Sequence, residues 1–291
     1  MGQNNHDTAL LFPGQGSQSD DMRELVARAR PGLLEQAIAE LGADPFERID
    51  EGTAYAQPAL YCASLAGWAN AGSPTAAFMA GHSLGELAAL AAAGSLSEKD
   101  GLSLAVARGR AMQAAAESGP PGGMLAVLGD EPPAREIAER LGLTLANENA
   151  PGQLVVSGPA DALAAAKPEL KRAGLKAIRL RVQGAFHSPA MESAVPPFER
   201  ALAAVEVASP RVPVMSSIVA RPFDDVRARL LEALVRPVRW REALVALHRA
   251  GVRRFLETGP GNVLTGLVRR TLDSVEAATV AERGRPEAAD A

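Results

Sequence analysis

Gly81-His82-Ser83-Leu84-Gly85-Glu86 lies between an apolar run, Ala76-Ala77-Phe78-Met79-Ala80, and the helix-forming stretch from Leu87 to Ala93. This order predicts a short buried strand, a sharp turn and a helix, with small residues at Gly81 and Gly85 letting a strained serine backbone pass close to its neighbours. Ser83 then stands at a helix N-terminus with its hydroxyl exposed, and the free N–H groups of the first turn can stabilise a developing oxyanion. The pentapeptide G-x-S-x-G alone is common by chance. It is the strand-turn-helix context that makes it a nucleophile elbow.

The chain has 291 residues, enough for one large domain carrying a smaller one within it. A formal charge of −4 argues against a general nucleic-acid binder, so an anionic ligand must be met by local basic residues. Cys62 is the single cysteine; it allows no intrachain disulfide and reads as a small buried residue. The polar start Met1-Gly2-Gln3-Asn4-Asn5-His6-Asp7 is not that of a signal peptide, and no apolar stretch has membrane-spanning length. No membrane association and a cytoplasmic address are expected.

Along the chain, Ala9 to Phe12 reads as a buried strand ending in the glycine-rich loop Pro13-Gly14-Gln15-Gly16-Ser17-Gln18. A helix is expected from Arg23 to Leu41, another opening at Gln57-Pro58, and a third from a capping-box-like Ser97 and Asp100 to about Ala116. After the breaker Ser118 to Gly123 the rhythm changes. Strands at Met124–Leu128, Leu143–Asn147, Leu154–Ser157 and Ala177–Val182, with helices at Pro133–Leu141 and Ala160–Ala173, give the order β-α-β-β-α-β, a ferredoxin-like unit. Residues 122–183 are therefore expected to form an insert within a core of residues 1–121 and 184–281. The core resumes with a strand at Val212–Ser216, helices at Val226–Leu234 and Trp240–Ala250, a strand at Val252–Leu256 and a helix after Gly261. The charged, Ala-rich tail 282–291 is expected to be disordered.

A serine hydroxyl needs a general base, and histidine has the matching pKa. Of four histidines, His6 lies near the terminus, His82 adjoins the serine and should point away from it, and His248 falls late in a helix. His187, in the loop after the last strand of the insert, is the candidate base. An acid orienting that histidine is expected in hydrolases, yet Asp130 and Asp161 fall where helix capping explains them. His187 is therefore expected to be held by backbone carbonyls, in an enzyme other than a standard esterase.

The blocks Leu11-Phe12-Pro13-Gly14-Gln15-Gly16-Ser17-Gln18, Tyr55-Ala56-Gln57-Pro58-Ala59-Leu60, the elbow, Ala107-Arg108-Gly109-Arg110-Ala111-Met112-Gln113, Asn147-Glu148-Asn149-Ala150-Pro151-Gly152-Gln153, Gly184-Ala185-Phe186-His187-Ser188 and Glu257-Thr258-Gly259-Pro260-Gly261-Asn262-Val263-Leu264 span nearly the whole chain. Together they resemble the malonyl-CoA:acyl carrier protein transacylase family. The resemblance implies an α/β-hydrolase-like core with the ferredoxin-like insertion. It implies malonyl transfer from malonyl-CoA to the phosphopantetheine thiol of acyl carrier protein through a malonyl-serine ester, with no bound cofactor or metal and a monomer as the expected form.

By this resemblance Ser83 is the nucleophile, His187 the base, and Gln15 and Leu84 the donors of the oxyanion hole. Arg108 matches the arginine that holds the malonyl carboxylate. The helical wheel does not separate it from Arg110, to which the role of a solvated charge is given. Phe186 favours malonyl over methylmalonyl, although Gly184 departs from the histidine of the related polyketide acyltransferases. Arg239 stands where the family often has a glutamine whose backbone carbonyl helps to orient the histidine. Lys167, Lys171, Arg172, Lys176, Arg179, Arg181, Arg269 and Arg270 are candidates for a positive edge facing the carrier protein or coenzyme A phosphates. Alternatives are a transacylase of a polyketide or malonate decarboxylase system, a serine thioesterase or esterase, and a non-catalytic carrier-protein scaffold.

Overall fold

The computed structural model describes residues 5–283. Its elements run β1 (Thr8–Phe12), α1 (Met22–Ala29), α2 (Pro31–Leu41), α3 (Thr53–Asn70), β2 (Phe78–Gly81), α4 (Gly85–Ala92) and α5 (Glu98–Ser118). Then follow β3 (Gly122–Leu128), α6 (Glu131–Arg140), β4 (Thr144–Ala150), β5 (Gln153–Pro159), α7 (Ala160–Arg172) and β6 (Lys176–Arg179). The chain closes with α8 (Val195–Ala203), β7 (Val214–Ser216), β8 (Arg221–Pro222), α9 (Val226–Val235), α10 (Trp240–Arg249), β9 (Arg254–Glu257), α11 (Val263–Thr271), β10 (Glu276–Thr279) and α12 (Val280–Arg283).

Every residue of β1 is buried, as expected for a strand covered by helices on both faces. It lies inside a six-stranded sheet of order β10-β9-β1-β2-β7-β8, parallel except for the β7–β8 pair. Leu10 and Phe12 pack toward Leu60, Leu65, Leu87 and Leu90 on one face. Ala9 and Leu11 pack toward Trp240, Leu244, Phe255 and Leu264 on the other. The elbow follows β2, whose Gly81 pairs with Phe12 at the carboxyl end of β1. That end of a parallel sheet is where α/β proteins place their sites.

The second sheet has four antiparallel strands in the order β4-β5-β3-β6. Leu125, Val127, Leu154 and Val156 pack beneath α6 and α7. Met124, Ala146 and Val155 point the other way, into the main core. Helices on one face and the core on the other account for the apolar residues at successive positions of β3 and β5, where a half-solvated sheet would alternate. The α/β class and the βαββαβ order thus match the sequence reading.

Several local expectations need correction. The helix expected over Arg23–Leu41 is broken at Arg30, whose φ of −145° and ψ of 57° lie outside the helical region. The ring of Pro31 disfavours helical geometry in the residue before it, and Pro31 itself opens α2. Helix α3 begins at Thr53 rather than Gln57, because Gln113 Oε1 accepts from Ala54 N at 3.0 Å and so satisfies a first-turn N–H from outside the helix. Strand β6 stops at Arg179, short of Val182, since Leu180 N makes the last bond to Met124 O before the chain turns toward His187. Strand β10 and helix α8 have no counterpart in the sequence reading; Glu276-Ala277-Ala278-Thr279 lacks the apolar or β-branched run that marks a strand. Of the tail expected at 282–291, Glu282 and Arg283 belong to α12 and the remainder lies outside the described residues.

The elbow is held by direct backbone contact. A Cβ on Gly85 would overlap the carbonyl oxygen of Phe12, and one on Gly81 would overlap the backbone of Gly85. Gly85→Ala is expected to lower stability by about 3 kcal/mol in urea unfolding. A loss under about 0.5 kcal/mol would contradict this close packing.

Candidate active site

Ser83 has a φ of 52°, a left-handed conformation that costs a non-glycine residue about 1–3 kcal/mol and is kept here by the packing of Gly81 and Gly85. His82 N donates to Phe12 O at 3.0 Å, and Glu86 N donates back to Ser83 O at 3.1 Å, so the turn is bonded on both sides. Ser83 Oγ lies 2.9 Å from His187 Nε2. His187 is also left-handed, with a φ of 58°.

His187 Nδ1 lies 2.8 Å from Ala233 O. A carbonyl can only accept, so the proton is assigned to Nδ1, leaving Nε2 to accept from the serine hydroxyl. The backbone carbonyl therefore takes the orienting position that an aspartate fills in a Ser-His-Asp triad. It comes from Ala233 and not from Arg239. The Arg239 carbonyl accepts from Ala243 N at 3.0 Å in the first turn of α10, its N–H donates to Ser217 O at 2.7 Å, and its guanidinium pairs with Glu242. Asp161 Oδ1 accepts from Ala162 N at 2.8 Å, while Asp130 precedes α6 without a side-chain cap bond.

Arg108 is 3% exposed, whereas Arg110 reaches the surface and donates to Glu40 O at 2.7 Å. Arg108 Nη1 donates to Gln57 Oε1 at 2.7 Å and Nη2 to Ser83 Oγ at 3.1 Å. Among the described residues it forms no salt bridge. Burial lowers its pKa to about 10, an effect countered by the charge of Glu86, so it remains a cation at neutral pH. A buried guanidinium bonded to neutral acceptors is poised to receive an anion.

Burial also raises the Glu86 carboxyl to about 7, against the hydrogen bonds it accepts from Ser217 N at 2.7 Å and Ser217 Oγ at 2.9 Å. His187 is pushed down to about 3, first by burial, then by the charge of Arg108 and by His82. His82 turns to Asn149, with Nε2 2.9 Å from Oδ1, and meets Trp240 edge to face at 5.3 Å.

Two adjoining cavities open here. An inner one of about 120 Å³ is lined by Ser83, His187, Arg108, His82, Asn147, Asn149, Met112 and Met124. An outer one of about 620 Å³ is lined by Gln18, Ile49, Asp50, Thr53, Gln113, Arg179, Arg181 and Gln183. Gln15, Leu180, Val182 and Phe186 line both. A Cβ on Gly184 would lie 2.6 Å from Phe186 Cε1, so the missing side chain leaves room for the Phe186 ring. Neither the N–H of Gln15 nor that of Leu84 enters the backbone hydrogen bonds among the described residues.

The structure thus brings Ser83, His187, Arg108, Gln15, Leu84 and Phe186 to one place, while Arg239 is not among the residues that line it. The sequence reading assigned no role to Thr53, Gln57, Glu86, Asn147 or Asn149. Thr53 and Gln57 are one helical turn apart and form a relay, Gln57 Nε2 to Thr53 Oγ1 at 2.8 Å and Thr53 Oγ1 to Gln15 Oε1 at 2.8 Å. Asn147 and Asn149 alternate along β4, a period-two signal for one face of a strand. Of the candidate basic edge, Arg179 and Arg181 reach the outer cavity, while Arg269 and Arg270 bond to Ala277 O and Gln153 Oε1. Among the described residues, no group of three or more His, Cys, Asp or Glu side chains is placed to hold a metal ion, and no helix is long and apolar enough to cross a membrane.

Residues 10–290 match the acyl transferase domain family. The polyketide biosynthesis protein ThaF of Burkholderia thailandensis is 40% identical over 96% of this chain, which spans 25% of that protein's length. The malonyl CoA-acyl carrier protein transacylase of Bacillus subtilis is 39% identical over 90% of this chain and 89% of its own. The crystal structure of malonyl-CoA:acyl carrier protein transacylase from Xanthomonas oryzae is similar with a TM-score of 0.87 and 37% identity, over 94% of each chain.

The depressed His187 pKa fixes the sign of a pH effect. Above pH 6.5 the ring is neutral whether the chain is folded or unfolded; as pH falls toward about 3, the unfolded chain takes up the proton first and folding loses stability. In histidine NMR titrations the His187 ring is expected to stay neutral at pH 5. A midpoint near 6.5 would contradict the described burial.

Proposed function

The chain belongs to the acyl transferase domain family, and from that premise we propose that it transfers the malonyl group of malonyl-CoA to the phosphopantetheine thiol of acyl carrier protein. The observation that carries this reading is the buried Arg108 beside the nucleophile. Its planar fork can make two charge-assisted bonds to the free carboxylate of a malonyl group while the thioester carbon lies at Ser83. Gln57 holds Nη1 of the fork while Nη2 reaches the serine.

In the proposed first half-reaction, Ser83 Oγ attacks the thioester carbonyl and its proton passes to His187 Nε2. The oxyanion is met by the N–H groups of Gln15 and Leu84. Collapse breaks the C–S bond, and the departing sulfur takes the proton from His187 Nε2, so that coenzyme A leaves as the thiol and the imidazole is neutral again. The second half-reaction is the reverse, with the phosphopantetheine thiol giving its proton to His187 and attacking the malonyl-serine ester. Ser83, His187 and the two thiols account for every proton, and the scheme invokes no bound cofactor. With its pKa near 3, His187 is available as a base at neutral pH, though a poor proton reservoir until negative charge develops beside it.

The inner cavity suits the acyl group and the outer one the pantetheine arm, with Phe186 between them crowding an α-methyl group. The division into a core of residues 1–121 and 184–281 and an insert of 122–183 belongs to the same reading, supported by the separate second sheet. So does a cytoplasmic setting, where coenzyme A thioesters meet carrier-protein thiols. The similarity to ThaF favours a second reading in which the recipient is a polyketide carrier protein. Transfer rates to carrier proteins of both kinds distinguish the two.

Incubation with malonyl-CoA is expected to add one malonyl mass to the intact chain and none to Ser83→Ala. Arg108→Ala should lower kcat/KM for malonyl loading about a hundredfold, the loss of a charged hydrogen-bonded pair, with far less effect on acetyl loading. Equal losses for the two donors would refute the carboxylate clamp, and hydrolysis without an adduct would favour a thioesterase.

A further inference from the structure

Four charged side chains close a ring across the junction between the second sheet and the main core. Glu131 and Arg135 lie on α6, Glu148 on β4 and Arg241 on α10. Glu131 Oε1 accepts from Arg241 Nη1 at 2.5 Å and from Gly152 N at 3.1 Å, and Glu131 Oε2 from Arg135 Nη2 at 3.0 Å. Glu148 Oε2 accepts from Arg135 Nη2 at 2.6 Å and from Arg241 Nη2 at 3.2 Å. Each carboxylate thus meets both arginines, and the charges balance. The four side chains are 16% to 40% exposed. An isolated pair so exposed contributes little, but a closed network with shared partners is the recognised exception.

The ring sits on one short stretch of β4. Glu148 lies between Asn147 and Asn149, where the pairing with β5 shifts register on both sides. The alternation of side chains along the strand turns both asparagines to the inner cavity and the glutamate to the ring. Two backbone bonds pin the same stretch to the core, Glu148 N to Val238 O at 2.8 Å and Val238 N to Ala146 O at 2.9 Å. Val238 lies in the chain between Ala233, whose carbonyl holds His187, and Trp240, whose ring meets His82. Asn149 closes the circuit through its bond to His82, while the buried Asn147 Oδ1 has no partner among the described residues.

We propose that Glu148 and Arg241, completed by Glu131 and Arg135, form an ionic latch that positions Asn147 and Asn149 as a wall of the acyl pocket. They are positioning residues, since none of the four lines either cavity. The latch acts on how the acyl group is held and leaves the serine–histidine pair intact, because the serine turn is held by His82 N on Phe12 O and by Glu86 N on Ser83 O, and the His187 ring by Ala233 O. The substrate readout rests on the malonyl-transfer reading; the latch itself does not.

The test uses the full chain with Glu148→Gln, Arg241→Met, the double variant and the conservative Arg241→Lys. Three quantities are measured: KM and kcat for loading by malonyl-CoA, the rate of sulfonylation by phenylmethylsulfonyl fluoride, which reports the serine–histidine pair, and the melting temperature. Each single variant is expected to raise KM about three- to tenfold, roughly 0.7–1.4 kcal/mol, with kcat and sulfonylation little changed. The double variant should be no worse than the poorer single one, and Arg241→Lys should restore most of the loss. Folded variants with wild-type KM would overturn the latch, as would KM, kcat and sulfonylation declining together with melting temperature. If the wild-type chain is sulfonylated yet takes no malonyl group, the transfer reading fails, and the imidazole NMR signals then decide the latch. Expected are a shift of His82 and a constant His187 in the latch variants; an unmoved His82 would overturn it.

Discussion

A guanidinium buried without an ion pair is the constraint around which this molecule is organised. Taking such a charge out of water costs several kcal/mol unless it is compensated, and Arg108 has only the neutral oxygens of Gln57 and Ser83 within bonding distance. The surroundings accommodate it in a consistent way. Glu86 supplies a nearby countercharge and Thr53 orients Gln57, while His187 is kept neutral partly by the same cation. The stability forgone at Arg108 becomes affinity when an anion arrives, which is why a carboxylated acyl group suits this pocket better than a plain one.

The second constraint is backbone geometry. Ser83 and His187 both occupy the left-handed region, and each is fixed by contacts that do not depend on substrate. Gly81 and Gly85 let β2 and α4 approach β1 closely enough to force the serine turn. The carbonyl of Ala233 then selects the imidazole tautomer that accepts at Nε2. An aspartate in that position would bring an anion close to the guanidinium and pull the imidazole pKa upward, whereas a carbonyl orients the ring and leaves Arg108 free for the acyl carboxylate.

What could be read from the sequence follows from how local each cause is. The elbow was legible because its glycines, serine and flanking apolar runs are contiguous, and the βαββαβ order because periodicity and breakers alternate cleanly between residues 122 and 183. The absence of an acid for His187 was also informative. The Ala233 carbonyl was not legible, since every residue carries one and its aim depends on how α9 ends. Arg108 and Arg110 could not be separated by periodicity because α5 is buried over much of its circumference; packing against α3 decides which arginine turns inward. The alternation of Asn147 and Asn149 along β4 is local, but that their shared face looks toward Ser83 is set by the bridge from Asn147 to Val238, far along the chain.

In the proposed reaction Ser83 carries a malonyl group between two thiols without releasing it to water. This is tested most directly by following radiolabelled malonyl-enzyme, freed of coenzyme A by gel filtration, after mixing with either buffer or phosphopantetheinylated acyl carrier protein. The account predicts that label persists on the chain in buffer and moves to the carrier-protein thiol when the carrier is present. Release of label as free malonate at the same rate in both mixtures would contradict it.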